Sequence, residues 1–178
     1  MLVPSIRKVV IGLSGGVDST VSALMLKRHG FEVVGAFMKN WDTVDESGVC
    51  TADRDAEEAE RVCKKLDIPF RHVNFVKEYW SEVFEGLVED YQRGITPNPD
   101  VMCNRRIKFD HFQKFCLEEI GCDAVATGHY ARSSFGNFLE HYSDSRNVKL
   151  LMAMDRVKDQ TLFLSQVRQT SLRRAMFP

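Results

Sequence analysis

Apolar residues in this chain fall into short runs separated by amphipathic stretches. Val9-Val10-Ile11 is an uninterrupted run of the kind that forms a strand buried on both faces. Gly12 to Asp18 then reads as a tight turn, Ser19 to Arg28 as a helix, and Gly30 as the left-handed residue that ends it. Phe31 to Phe37 supplies a second strand, and the order strand, glycine turn, helix, strand predicts a parallel βαβ unit. The unit repeats. After a polar loop from Lys39 to Gly48, the stretch Asp53 to Leu66 puts Ala56, Ala59, Val62, Cys63 and Leu66 on one helical face, with Asp55, Glu57, Glu58 and Glu60 away from it as a solvated face. Pro69 breaks the pattern, and Phe70 to Phe75 is a third strand. Trp80, Val83, Phe84, Leu87, Val88 and Tyr91 follow at helical spacing, so this helix is expected to bury its aromatics as core, with Gly94 closing it.

Two prolines in Thr96-Pro97-Asn98-Pro99-Asp100 exclude a helix interior there. A fourth helix is expected from Asn104 to Ile120, ending at Gly121, and Ala124-Val125-Ala126 is a fourth strand that ends at Thr127-Gly128-His129. From Tyr130 to Met154 the pattern supports short β segments, read as a hairpin, and helix returns near Thr161 to Val167 and near Leu172. The fold class is α/β, a Rossmann-like parallel sheet with flanking helices.

Composition narrows the function classes. With 178 residues the chain is one domain or a domain and a fraction, and 44% hydrophobic against 28% charged residues excludes disordered and collagen-like classes. The longest apolar runs are a few residues, far below the roughly 20 that cross a bilayer, so no membrane partner is expected. Five cysteines, an odd set without a CxxC pair, argue against a disulfide framework or a four-thiolate zinc site and favour a reducing compartment, such as the cytoplasm. Met1 to Lys8 lacks the apolar core of a secretory signal and is too short for an organelle presequence. The end at Phe177-Pro178, with no cap or polar tail, reads as a cut from something longer.

Net charge is −1, but it is unevenly spread. Arg146 to Pro178 holds seven basic residues against two acids, a local +5, which leaves −6 on the rest. A polyanion could meet that basic tail, and a solvated helix face explains it equally well.

In a parallel α/β sheet, ligands bind beyond the carboxyl ends of the strands, near helix N-termini. Three segments land there: Ser14-Gly15-Gly16-Val17-Asp18-Ser19, Pro97 to Cys103, and Gly128-His129. In the first, adjacent glycines let backbone approach a phosphate while Ser14 and Ser19 add hydroxyl donors. The string Gly12-Leu13-Ser14-Gly15-Gly16-Val17-Asp18-Ser19 lacks the lysine of a Walker A loop and the spacing of a GxGxxG turn. In the second, a proline-braced loop delivers Asp100 and Cys103 to a helix start, where the helix dipole is expected to ease ionisation of a thiol below its ordinary value of about 8.5 and make Cys103 a candidate nucleophile.

The glycine loop resembles the pyrophosphate loop of ATP pyrophosphatases, the adenine nucleotide alpha hydrolase-like enzymes that cleave ATP between its α and β phosphates. Together with Phe37-Met38-Lys39-Asn40-Trp41-Asp42, Gly48-Val49-Cys50-Thr51-Ala52-Asp53, Thr96 to Cys103, Ala126-Thr127-Gly128-His129-Tyr130 and Lys158-Asp159-Gln160, the chain is similar along nearly all its length to the tRNA-specific 2-thiouridylases. The loop around Asn40-Trp41-Asp42 and Asp45 to Cys50 looks more like the animal mitochondrial branch, which implies a mitochondrial location.

The resemblance implies an ATP-dependent transferase that adenylates the C2 oxygen of the wobble uridine of tRNA and replaces it with persulfide sulfur. It implies Gly12, Leu13, Ser14, Gly15, Gly16, Val17, Asp18, Ser19, Met38 and Gly128 for ATP; Asn98, Pro99 and Asp100 for the target base, with Asp100 moving a proton; Cys103 as the nucleophilic cysteine; and Lys158, Asp159 and Gln160 for tRNA. Mg²⁺ held by the phosphates, a disulfide bond, and a sulfur-relay or cysteine desulfurase-derived persulfide donor protein follow from the same likeness. No residue is assigned as a metal ligand. Residues 1–130 are expected to form the ATP-pyrophosphatase domain and 131–178 to begin the tRNA-binding region. Family members continue past the position of Pro178, and their persulfide-carrying second cysteine has no match among Cys50, Cys63, Cys116 and Cys122. This chain is therefore expected to bind ATP without completing thiolation. Two alternatives stay open: another adenylating synthetase acting on a small carbonyl compound, and a non-catalytic product that binds ATP or tRNA.

Overall fold

A computed structural model describes residues 6–41 and 51–178. Five strands form one parallel sheet: β1 (Lys8–Leu13), β2 (Glu32–Lys39), β3 (Phe70–Asn74), β4 (Ala124–Thr127) and β7 (Ala175–Met176), in the order β3-β2-β1-β4-β7. The chain builds outward from β1 to β3, then crosses back to lay β4 on the other edge of β1. That reversal opens a crevice between the carboxyl ends of β1 and β4. A separate antiparallel pair, β5 (Arg132–Ser133) with β6 (Leu150–Leu151), is the hairpin the sequence suggested.

Alternation along the strands explains the two-sided core. Val9, Ile11 and Leu13 of β1 and Ala124 and Ala126 of β4 face one apolar cluster, shared with Leu26 of α1 (Val17–Arg28) and Ala59 and Cys63 of α2 (Thr51–Leu66). Val10, Val34 and Val125 face the other, against Tyr79 and Val83 of a helix over 76–92 (α3) and Ile107, Phe112 and Cys116 of a helix over 99–120 (α4). Residues such as Phe135, Val148, Leu164, Met176 and Phe177 complete the first cluster, so the final segment adds both a strand and core to the same sheet. A 3₁₀ turn (Thr161–Leu164) and a short helix α5 (Gln169–Leu172) lead into β7. Among the described residues no helix is long and apolar enough to cross a membrane.

Two sequence expectations need correction, and one strand was not foreseen. The aromatic stripe of α3 is not uniformly core: Val83 is buried, but Trp80, which stacks edge-on with Trp41 and Phe84, is 44% exposed, and Tyr91, in the carboxyl-terminal half where no residue is buried, is 58% exposed. The fourth helix starts at Pro99 rather than at Asn104. Asn98 Oδ1 accepts from the amides of Asp100 (3.1 Å) and Val101 (3.3 Å), and Pro99 sits at the first helical position, where its missing N–H costs nothing. The last strand, Ala175–Met176, carries no pattern that would have revealed it.

Candidate active site

The loop leaving β1 is held by its own hydroxyls. Ser14 N donates to Ser19 Oγ at 3.2 Å, Ser19 Oγ donates to the Gly16 carbonyl at 3.1 Å, and Thr20 Oγ1 donates to the same carbonyl at 2.9 Å. Gly15 has a φ of +78°, a left-handed geometry at which a side chain would also crowd the Asp55 backbone at 3.0 Å. Gly16 caps α1 without any side-chain hydrogen bond to the first-turn amides, so those N–H groups are available for an anion. Across the crevice, Gly128 packs directly on the start of α1, and the Tyr130 hydroxyl donates to Asp18 Oδ1 at 3.0 Å.

A cleft of about 230 Å³ lies between these two strand ends, lined by Ser14, Asp18, Ser19, Met38, Gly128 and Lys108 among others. His129, also on its wall, accepts or donates at 2.8 Å with Thr127 Oγ1 and stands near the rings of Phe109 and Phe177. Burial first, and then the charge of Lys108, press its pKa down to about 3, so the imidazole is neutral at physiological pH. A second cleft adjoins the first. It is lined by Asp100, Asn104 and Lys108 of α4 together with His129, Gln160 and Phe163. These three α4 residues are four apart, a spacing that puts them on one face of the helix.

Residues 7–178 match the family described as tRNA methyl transferase HUP domain. The chain belongs to that family. It is 52% identical over 98% of its length to the mitochondrial tRNA-specific 2-thiouridylase 1 of Homo sapiens, and 53% identical over 97% to the protein of the same name in Drosophila melanogaster. It is also 51% identical over 98% of its length to the tRNA-specific 2-thiouridylase MnmA of Bacillus pumilus. It spans only 45%, 44% and 45% of those relatives' own lengths.

Within this HUP domain, Gly12, Leu13, Ser14, Asp18, Ser19, Met38, Gly128 and Gln160 come together on the first cleft. Gly15 and Gly16 shape the loop behind it, and Val17 is exposed and does not line the cleft. Asp100 reaches the second cleft, whereas Asn98 is spent as the helix cap and Pro99 as its first residue. Cys103 lies one turn into α4, packed against the apolar cluster of Tyr79, Val83 and Ile107, and does not line either cleft. The expected easy ionisation of its thiol is overturned: burial raises the pKa above the usual thiol value, the Lys108 charge opposes that rise, and Asp100 adds to it. The thiol is inside the helix, not at its amino end, and desolvation outweighs the dipole.

Gln160 is tied to the β4 exit, its Oε1 accepting from Tyr130 N at 2.9 Å while its own N–H donates to Tyr130 O at 2.9 Å. The Asp159 carboxylate accepts from Ala153 N, Thr161 N and Thr161 Oγ1, which lowers its pKa, while the Lys158 side chain is exposed. Cys63, Cys103, Cys116 and Cys122 are free thiols, so the disulfide implied by the resemblance is not formed among the described residues; Cys50 lies outside them. Sequence reasoning missed Lys108 and Asn104 entirely. Their spacing of four from Asp100 was the available signal, but it required the helix to start five residues earlier than the prolines suggested.

Proposed function

We propose that this chain is the nucleotide-activating part of a mitochondrial tRNA-uridine 2-sulfurtransferase. One observation carries the reading: the loop after β1 and the Asp100 to Lys108 face of α4 line adjoining clefts that share Lys108, His129 and Gln160, so an activated phosphorus and an acceptor base can meet. Relatives named tRNA-specific 2-thiouridylases, at 51–53% identity, support the choice of tRNA as acceptor, and the names of two of them support the compartment.

In this reading Gly12 to Ser19 hold the phosphates of ATP on the open amides of α1, and Met38 and Gly128 border the adenosine. A loop with a left-handed glycine and an uncapped helix start fits an oligophosphate. The described residues contain no cluster of three metal-ligating side chains, so Mg²⁺ would ride on the phosphates. The uridine C2 oxygen attacks the α-phosphorus and pyrophosphate leaves; the outer sulfur of a protein-bound persulfide then attacks C2 and AMP departs with the oxygen, after which a thiolate attacks the inner sulfur and breaks the S–S bond, leaving 2-thiouridine and a disulfide. Asp100, on the second cleft, moves the proton of the base in this reading, with Asn98 and Pro99 fixing the loop that presents it. Cys103 is the nucleophilic cysteine that makes the last attack, on a persulfide carried by the second cysteine the resemblance implies and loaded by a donor protein of the sulfur-relay or cysteine desulfurase-derived kind, and Lys158, Asp159 and Gln160 contact tRNA. Residues 1–130 supply the phosphate loop and the acceptor face, while 131–178, which also complete the sheet through β7 and lend Gln160 to the first cleft, begin the tRNA-binding region.

The test is pyrophosphate release from ATP by this chain, with no RNA, with tRNA bearing a wobble uridine, and with the same tRNA carrying cytidine there. Release that depends on the uridine is expected. Release with no tRNA but with a small carbonyl compound would instead select a synthetase.

A further inference from the structure

We infer that Lys108 is the cation that binds the nucleotide's α-phosphate, taking the place of the lysine that the loop after β1 lacks. The inference rests on the reading of the first cleft as a nucleotide site. Among the described residues Lys108 makes neither a hydrogen bond nor an ion pair, although its side chain is half-buried. An ammonium at a cleft wall with no carboxylate or carbonyl already bound to it is open to an incoming anion. It is also the one permanently charged cation lining the first cleft. His129 on the same wall stays neutral, and the carboxylate there, Asp18, already accepts from Tyr130.

Position selects the α-phosphate over the others. Lys108 lines the phosphate-loop cleft with Ser14 and Ser19, and it also lines the Asp100–Asn104 cleft. A third cleft, beside Trp41 and Asp55, borders it as well. The phosphate that must stand at the wall common to the loop and the acceptor chamber is the one that becomes joined to the acceptor oxygen. The β and γ phosphates belong farther along the amides of α1. A cation at that wall also offsets the charge that grows on the α-phosphoryl oxygens as pyrophosphate leaves. A role confined to the Cys103 thiol, five residues away, predicts no effect on nucleotide affinity and is thereby separable.

The experiment compares binding of AMP and of adenosine to the parent chain and to Lys108→Met and Lys108→Arg by calorimetry. The parent should prefer AMP to adenosine by about tenfold or more, the value of one charged hydrogen bond. Lys108→Met should bring that preference close to one while leaving adenosine affinity unchanged, and Lys108→Arg should keep most of it. An unchanged preference in Lys108→Met overturns the assignment while the nucleotide reading stands. Loss of adenosine affinity in step with AMP marks a merely structural lysine and overturns it too. A parent that binds neither compound overturns the nucleotide reading itself, and the assignment with it.

Discussion

A methyl group on Gly128 would stand 2.8 Å from the Ser19 amide nitrogen and 2.9 Å from the Asp18 carbonyl carbon. The end of β4 is thus in main-chain contact with the first turn of α1, and α1 cannot retreat because Ser22, Ala23 and Leu26 are buried against the sheet. Gly128→Ala is expected to cost about 1–3 kcal/mol, the usual toll of overpacking. ATP affinity should fall as well, since the amides that would hold phosphate are the ones displaced. Thermal midpoint and calorimetric binding, measured well below that midpoint, check both; a variant unchanged in each would show that the contact has slack.

Cys103 should be a slow thiol. Burial raises its pKa, so its alkylation by iodoacetamide is expected to keep climbing above pH 9 and not to level off near neutrality. Lys108→Met should slow it further, because the lysine charge is what opposes the rise. Cys63 and Cys122, both pushed up to about 11, and Cys116, pushed higher still, are fully buried and should label later. Peptide mapping by mass spectrometry across a pH series reads all four; a Cys103 rate that plateaus below pH 8 contradicts the burial argument.

His129 links stability to acid. Folded, its imidazole takes a proton only near pH 3, against an ordinary 6.5, so the unfolded chain binds that proton first. Stability is therefore full above about pH 6.5 and drains away as pH falls toward 3, ahead of most carboxylates. His129→Gln should flatten the midpoint between pH 6.5 and 5 relative to the parent. The nuclear magnetic resonance shift of the ring Cε1 proton should stay constant down to pH 4, and an inflection near 6 would refute the assignment.

Removing the Asn98 cap tests the proline-braced loop. Asn98→Ala strips acceptors from the amides of Asp100 and Val101 and should lower stability by about 1 kcal/mol, whereas Asn98→Asp or Asn98→Ser should recover most of it. Thermal melts of the three variants suffice. An alanine variant as stable as the parent would mean that Pro99 alone fixes the turn.

Much of this architecture could be read from residues. Val9 to Ile11 and Ala124 to Ala126 are buried strands because uninterrupted apolar runs suit a sheet covered on both faces, and the Gly15-Gly16 turn falls where the strand must give way to α1. Periodicity misled at Trp80 and Tyr91: it reports that a helix has an apolar face, not that a neighbour covers all of it. Ala175 and Met176 escaped because two residues of edge strand have no period to detect. Lys108 escaped for a different reason. A lone lysine in a helix is ordinary by composition, and its meaning depends on three clefts meeting around it, which only folding brings about.

The central strand is also the earliest made. β1 is complete by Leu13, yet the neighbour on its second edge, β4, arrives only at Ala124. A ribosome must therefore emit most of the domain while one flank of its hydrogen-bonding spine stays bare, and such late, distant pairing is the kind that folds slowly and invites capture by other strands. The strand order by itself thus sets a long wait between the making of β1 and the closing of its second edge, independently of the chemistry at the strand tips.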